Sequence, residues 1–364
     1  MDYPAQRRGR LARLVKEEAL DALLVSNPYN VTYLTGFSGD SSWLVLGRGR
    51  ALLVSDFRFT EQIAEECPGL DTHIRLPGQT LQQAVAGVLG KLGFRAVGFE
   101  SAALTVADLE SLREALPAVQ WKGAADRVER LRAVKDASEL AEVREAVGFA
   151  EKAFAMWRAM LRPDEREKDL GDALEFYIRR AGGRGSSFPP IVAVGERAAL
   201  PHAPPTHKTL EEAALVLIDW GASGRFYKSD LTRVLATRRI SPKLEKVYRV
   251  VFKAQEQALR GIRPGVQAQD VDAKARAVIA AAGYGPYFGH GLGHGLGLQV
   301  HEAPALRQNS DAVLQAGMVM TVEPGVYLPG WGGVRIEDDV LVTPDGCELL
   351  SSVPKDLDSL VCDF

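Results

Sequence analysis

Two stretches of this chain repeat each other at a fixed spacing, and that repeat limits the folds open to it. Arg162-Pro163 and Arg263-Pro264 each follow a long amphipathic pattern at the same offset, 263 − 162 = 101. Ala181-Gly182 and Ala282-Gly283 keep that offset after the next helical stretch. Leu140, Val143, Val147, Ala150 and Phe154 share one face of the first helix; Leu244, Val247, Val251 and Ala254 do so in its counterpart. This is the period of a helix with a single apolar side. Strand-like runs follow each Ala-Gly break. Helix, helix, strands, occurring twice, predicts an α+β domain with pseudo-two-fold internal duplication. A site between its halves is the natural consequence.

The preceding residues read differently. Leu11, Leu14 and Val15 mark a first helix, and Asp21–Val25, Ala51–Val54 and Ala96–Phe99 read as short buried strands. Helical stretches near 60–66, 79–92 and 105–115 alternate with them. The chain of 364 residues is therefore expected to divide into an α/β domain over 1–127 and the duplicated domain over 128–364. Asn30, Tyr33, Asp56 and Arg58 in the first domain read as turn or cap residues. A net charge of -3 gives no electrostatic handle for nucleic acid or an anionic membrane surface. No apolar run approaches membrane-spanning length. A charged N-terminus without a signal-peptide core, and three cysteines (Cys67, Cys347, Cys362) without ligand spacing, point to the cytoplasm.

The chemistry gathers in the duplicated domain. Phe288 to Glu302 holds three of the six histidines, His290, His294 and His301, among alternating glycines. His290 and His294 have the spacing of two ligands on one helical face. The glycines argue instead for an extended segment running close to something bound, since each disfavours a helix by about 1 kcal/mol relative to Ala. The apolar run Leu215–Ile218 ends in Asp219, and Asp230 follows a Gly/Ser turn. A hairpin centred between Gly224 and Arg225 would place the two carboxylates opposite each other. Glu323 and Glu337 flank the loop Pro329–Gly333 in the same manner. Like charges at that range repel unless a proton or cation intervenes. Four carboxylates with one imidazole suit two divalent ions, with Mn, Co and Zn all compatible.

The order Asp219, Asp230, His294, Glu323, Glu337 resembles the ligand set of the pita-bread metallopeptidases. Gly293–Pro304 (GHGLGLQVHEAP), Thr321–Tyr327 (TVEPGVY) and Ser229–Arg233 (SDLTR) resemble the branch that cleaves Xaa-Pro bonds, prolidase and aminopeptidase P. Leu20–Val25 and Tyr33–Phe37 are similar to that family's creatinase-like N-terminal domain. The resemblance implies two divalent metal ions per chain, Mn first among them, shared by Asp230 and Glu337. Asp219 would complete one metal, and His294 with Glu323 the other. It makes Glu323 the proton shuttle as well. His202 and His301 would bind the carbonyl or the tetrahedral intermediate. His290 would line the proline pocket; the bulk of a proline ring also calls for an apolar wall, which Phe288 and Trp331 could supply with it. Arg335 would orient Glu337 or Asp230.

The expected reaction is metal-dependent hydrolysis of an Xaa-Pro bond with proline on the leaving side. The expected substrate is a proline-containing di- or oligopeptide. A dipeptidase is favoured slightly over an aminopeptidase P acting on longer peptides, with Arg307 or a residue of the N-terminal domain to bind a free carboxylate. Creatinase-like and methionine aminopeptidase readings fit less well, because all five ligand positions are intact and an extra N-terminal domain is present. The reading from another class is a non-catalytic peptide-binding or chaperone module. The resemblance also implies a homodimer.

Overall fold

A computed structural model describes residues 2–47, 49–237 and 239–362. The chain forms two compact units, Met1–Arg132 and Ala133–Phe364. The helix Arg127–Ala133 runs across the expected junction.

In the first unit a six-stranded mixed sheet is built from Ala22–Val25, Trp43–Gly47, Arg50–Ser55, Asp71–Ile74, Ala96–Phe99 and Gln120–Gly123. Ala22–Val25 lies inside it, antiparallel to Trp43–Gly47 and parallel to Ala96–Phe99. All four of its residues are buried, as a strand covered on both faces requires. The helix Leu81–Leu92 begins in a Thr80/Gln83 capping box and stops at Gly93. Sequence periodicity missed the strand Trp43–Gly47 and the short helix Pro28–Thr35. It also missed a buried polar network. Glu100 accepts the backbone N–H groups of Ser26 and Asn27 and the side-chain amide of Asn30, while Arg132 donates to Asn30 Oδ1.

In the second unit the repeat becomes structure. Helices Ala137–Arg158 and Glu167–Ala181 precede one group of strands; Pro242–Leu259 and Ala268–Ala281 precede the other. The first helix opens in an Asp136/Glu139 capping box, and the third is capped by Ser241 at Leu244 N–H. The first half forms a three-stranded antiparallel sheet in the order Leu231–Leu235, Val216–Trp220, Ile191–Val194. The second forms a five-stranded sheet in the order Glu302–Leu306, Gly293–Gly295, Val319–Val322, Asp338–Val342, Cys347–Leu349. Trp220 stacks on Phe154 with ring centroids 4.3 Å apart and donates its indole N–H to Ala150 O. Each large apolar side chain buried in this way contributes about 1.5–3 kcal/mol relative to exposure. The second unit is thus the internally duplicated α+β domain that the sequence predicts, and the first is the α/β domain that precedes it. Among the described residues no helix is long and apolar enough to cross a membrane.

Candidate metal centre

The first pair of carboxylates is set by a hairpin whose turn lies one residue later than the sequence predicts. Gly224 N–H closes on Tyr227 O, so Arg225 and Phe226 form the turn. Asp219 therefore pairs with Thr232, and Asp230 lies diagonally across, still on the same face. In the second half Gly325 pairs with Arg335, and Val322 with Asp338. Extending that register puts Glu323 opposite Glu337, in the short break between two ladders. Glu337 also bridges to Thr232 of the first half. Two half-sheets thus bring their acidic edges to one place.

His294 sits on the strand Gly293–Gly295, held on both sides by neighbouring strands. A Cβ at Gly293 would come 2.1 Å from Thr321 O, and one at Gly295 would come 2.2 Å from Ala303 O. The glycines are there because the flanking backbones leave no room for a side chain. His294 Nδ1 lies 3.1 Å from Gly295 O, which can only accept, so Nδ1 carries the proton. The Nε2 lone pair then faces Asp230 Oδ2 at 3.6 Å and Glu323 Oε1 at 3.5 Å. A lone pair aimed at two carboxylate oxygens is unfavourable unless a proton or a cation lies among them. Asp230, His294 and Glu337 offer ligand atoms all within 4.8 Å of one another.

The electrostatics agree. Burial, followed by the charges of Glu337, Asp219 and Glu323, pushes Asp230 well above the usual carboxylate range. Burial and then Glu323 do the same to Glu337. Burial raises Glu323 to about 7, and burial lowers His294 to about 4, keeping the imidazole neutral. Asp219 Oδ1 is buried without a hydrogen-bond partner, and its neighbour is another carboxylate, Asp230. An imidazole lone pair, an orphaned carboxylate oxygen and mutually repelling acids are what a divalent cation site requires.

Around the acids runs a set of fixed side chains. Arg335 donates to Asp219 Oδ2 at 2.5 Å, to the Thr232 hydroxyl at 2.9 Å and to the Tyr327 hydroxyl at 3.0 Å. Its principal carboxylate is Asp219, where the sequence reading expected Glu337 or Asp230; Glu337 lies 4.0 Å away and is reached through Thr232. His290 Nδ1 must donate to Gly291 O, so Nε2 accepts from the Tyr327 hydroxyl at 2.8 Å. Arg335, Tyr327 and His290 form one hydrogen-bonded line. Thr321 accepts from His294 N–H and donates to Glu323 Oε1.

Nine of the residues singled out in the sequence line one cavity of ≈ 610 Å³: Asp219, Asp230, His294, Glu323, Glu337, His202, His301, His290 and Arg335. His301 packs edge-on against His294, ring centroids 4.2 Å apart. Phe288 and Trp331, expected in the proline wall, do not line it. Phe288 backs the His290 ring, and Trp331 packs on the core beneath Lys243. The apolar wall comes instead from Phe188, Pro189, Pro190 and Ile191, with Pro201, Pro204 and Pro205. Thr232, Thr321 and Tyr327 also escaped the sequence reading of the site. The two threonines each stand two residues from an acid, so the strand period alone puts them on the same face.

The model of metallopeptidase family M24 matches residues 141–344, and that of the creatinase/prolidase N-terminal domain matches residues 7–134. The chain belongs to metallopeptidase family M24. As a member of M24 it is a hydrolase, which sets aside the non-catalytic binding module. A solved Xaa-Pro dipeptidase from Bacillus anthracis is 37% identical, with a TM-score of 0.94, covering 98% of this chain and 99% of its own. The Xaa-Pro dipeptidase of Pyrococcus horikoshii is 32% identical over 98% of this M24 chain and 100% of its own length. An X-Pro aminopeptidase structure from Thermotoga maritima is 33% identical, with a TM-score of 0.89, covering 95% of this chain and 99% of that one.

Proposed function

We propose that this chain hydrolyses Xaa-Pro bonds with proline on the leaving side, that it does so with two divalent metal ions, and that dipeptides are its preferred substrates. The observation that carries the reading is the convergence of four carboxylates and one imidazole lone pair at the floor of an apolar-walled cavity. When all four acids are ionised, Arg335 offsets one charge, and 4 − 1 = 3 negative charges remain. One dication leaves an excess of negative charge; two leave a net positive site suited to an electron-rich carbonyl. Two such ions, Mn or else Co or Zn, held by Asp219, Asp230, His294, Glu323 and Glu337, would supply Lewis-acid activation of water and of the scissile carbonyl.

The remaining work belongs to the chain. Glu323 has the most open side chain of the four acids, at 16% exposure against 2–12% for the others. It takes the proton of the attacking water on its carboxylate and delivers it to the proline nitrogen as the C–N bond breaks. His202 and His301 donate to the carbonyl oxygen as negative charge develops there. Thr232 and Arg335 hold Glu337 and Asp219 in place. His290, its tautomer fixed by Gly291 and Tyr327, borders the proline ring. The nitrogen of an Xaa-Pro bond has no hydrogen, so nothing here has to accept one.

Arg307 also lines the cavity, and among the described residues its guanidinium has no hydrogen bond or ion pair. A free guanidinium at the edge of an apolar cavity suits the terminal carboxylate of a dipeptide. The second reading, release of the first residue from longer Xaa-Pro peptides, is supported by the Thermotoga maritima relative. Hydrolysis of Ala-Pro and Ala-Pro-Ala side by side, with Mn restored to metal-stripped enzyme, separates them. Preference for Ala-Pro, with KM rising about tenfold in Arg307→Ala, supports the dipeptidase. Preference for Ala-Pro-Ala with Arg307→Ala silent supports the aminopeptidase.

A further inference from the structure

The segment Phe288–Leu292 carries His290 into the cavity before the strand Gly293–Gly295 begins. Among the described residues no strand ladder includes it, although Glu323 N–H donates to Leu292 O at 2.8 Å. The rest of its backbone is held chiefly by two side chains one helical turn apart on Ala268–Ala281. Arg276 donates to Phe288 O and to His290 O, each at 2.9 Å. Asp272 Oδ1 accepts Leu292 N–H at 3.1 Å. Asp272 and Arg276 bind each other through two hydrogen bonds, at 2.9 and 2.8 Å. Asp272 is completely buried. The guanidinium also lies 4.3 Å from the Phe288 ring centroid, and that ring meets His290 edge-on at 5.1 Å.

The pair therefore reaches residues 288, 290 and 292 in alternation, as a neighbouring strand would. Neither residue lines the cavity; both border a separate surface depression with Gln308 and Asn309. Arg276 makes four hydrogen bonds here from a planar guanidinium whose five donors point in fixed directions, whereas an ammonium has only three donors. Any shift of the two carbonyls moves the His290 ring. Its Nδ1 is tied to the adjacent Gly291 O and its Nε2 to Tyr327, so the ring has little independent freedom.

We propose that Asp272 and Arg276 are positioning residues that fix His290 at the prolyl side of the cavity, and so set how tightly the leaving proline is held. This rests on the placement of proline against His290 given above. It differs from an ordinary stabilising ion pair in acting through one named side chain, and that difference is measurable.

The test is Ala-Pro hydrolysis by Mn-loaded Arg276→Ala, Arg276→Lys, His290→Ala and the Arg276→Ala/His290→Ala double variant, with bound Mn counted in each. Arg276→Ala should raise KM about tenfold with kcat altered less than about threefold and Mn content unchanged, and Arg276→Lys should recover only part. The double variant should be no worse in KM than His290→Ala alone, because the pair acts through that ring. If the two effects multiply, or if kcat falls while KM stays, the positioning role is wrong and the placement of proline stands. If His290→Ala leaves KM unchanged, both are wrong. Should Arg276→Ala not fold, the isosteric Asp272→Asn, alone and with His290→Ala, takes its place with the same pattern required.

Discussion

The Thr232 hydroxyl donates to Glu337 Oε2 at 2.5 Å, and the two residues also form an antiparallel backbone bridge between the half-sheets. The same hydroxyl accepts from Arg335 Nε at 2.9 Å. One oxygen thus joins a carboxylate from the second half to a guanidinium that holds Asp219 of the first. Thr232→Val preserves shape and β-branching while removing that oxygen. Metal affinity should fall about 10–100-fold, the usual effect of losing a partner of a ligand. Calorimetric titration of metal into stripped protein measures it.

Arg335 is nearly completely buried and carries its charge among four acids. Arg335→Met keeps the length and drops the charge. It leaves Asp219 and the Tyr327 hydroxyl without their donor, and a buried ion pair broken on one side costs about 3–5 kcal/mol. The metal-free variant should show that loss in denaturant melts. Saturating metal should restore part of it, because cations replace the missing positive charge.

The alternating glycines of the histidine segment have a steric reason that a single methyl tests. Gly293→Ala would place Cβ 2.1 Å from Thr321 O, backbone that cannot rotate away. The strand bearing His294 must move relative to Glu323. Folded Gly293→Ala should bind metal at least about tenfold more weakly, as equilibrium dialysis would reveal. Gly289→Ala, with nothing within 4 Å of its Cβ, should bind metal as the parent does.

In the N-terminal unit Asp56 accepts from Arg58 N–H, from the Arg58 guanidinium and from Arg75. The Arg58 side chain first, then its backbone N–H and Arg75, hold this carboxyl below the usual carboxylate range, against the opposing effect of burial. A depressed acid makes the unfolded chain the better proton acceptor between its two pKa values. Its stabilisation is therefore complete above the ordinary carboxylate pKa, about 4, and drains away as pH falls toward the folded-state value. Asp56→Asn should lower stability at pH 7 and flatten its acid dependence below pH ~4, as urea melts across pH 2–7 would record.

What was legible in the sequence followed from period and interruption. Asp219 breaks an apolar strand, and Glu323 and Glu337 sit symmetrically about a Gly/Pro turn, so the second register could be read from residue counts alone. The first register differs by one because Gly224 flanks the turn, and a glycine in such a run reads as part of it. The partner of Arg335 was not legible, because Asp219 lies in the other half and only the closing of the two sheets brings it near. The apolar wall was hidden for the same reason. Phe188–Pro190 and Pro201–Pro205 lie between regular elements, where no periodicity says which way a side chain points. Trp331 misled because a large aromatic beside a ligand hairpin reads as a pocket residue, yet it covers the core. The pair of buried Asp272 and half-buried Arg276 looks in sequence like any helical i, i+4 ion pair.

The most direct measurement is a titration of Mn into metal-stripped enzyme, followed by hydrolysis of Ala-Pro with Ala-Ala as control. Two equivalents should be needed for full activity, cleavage should be confined to Ala-Pro, and Asp219→Asn should abolish the response to the second equivalent. Full activity at one equivalent would contradict the dinuclear site. Equal cleavage of Ala-Ala, or no cleavage of Ala-Pro with Mn, Co or Zn, would contradict the assignment of Xaa-Pro hydrolysis itself.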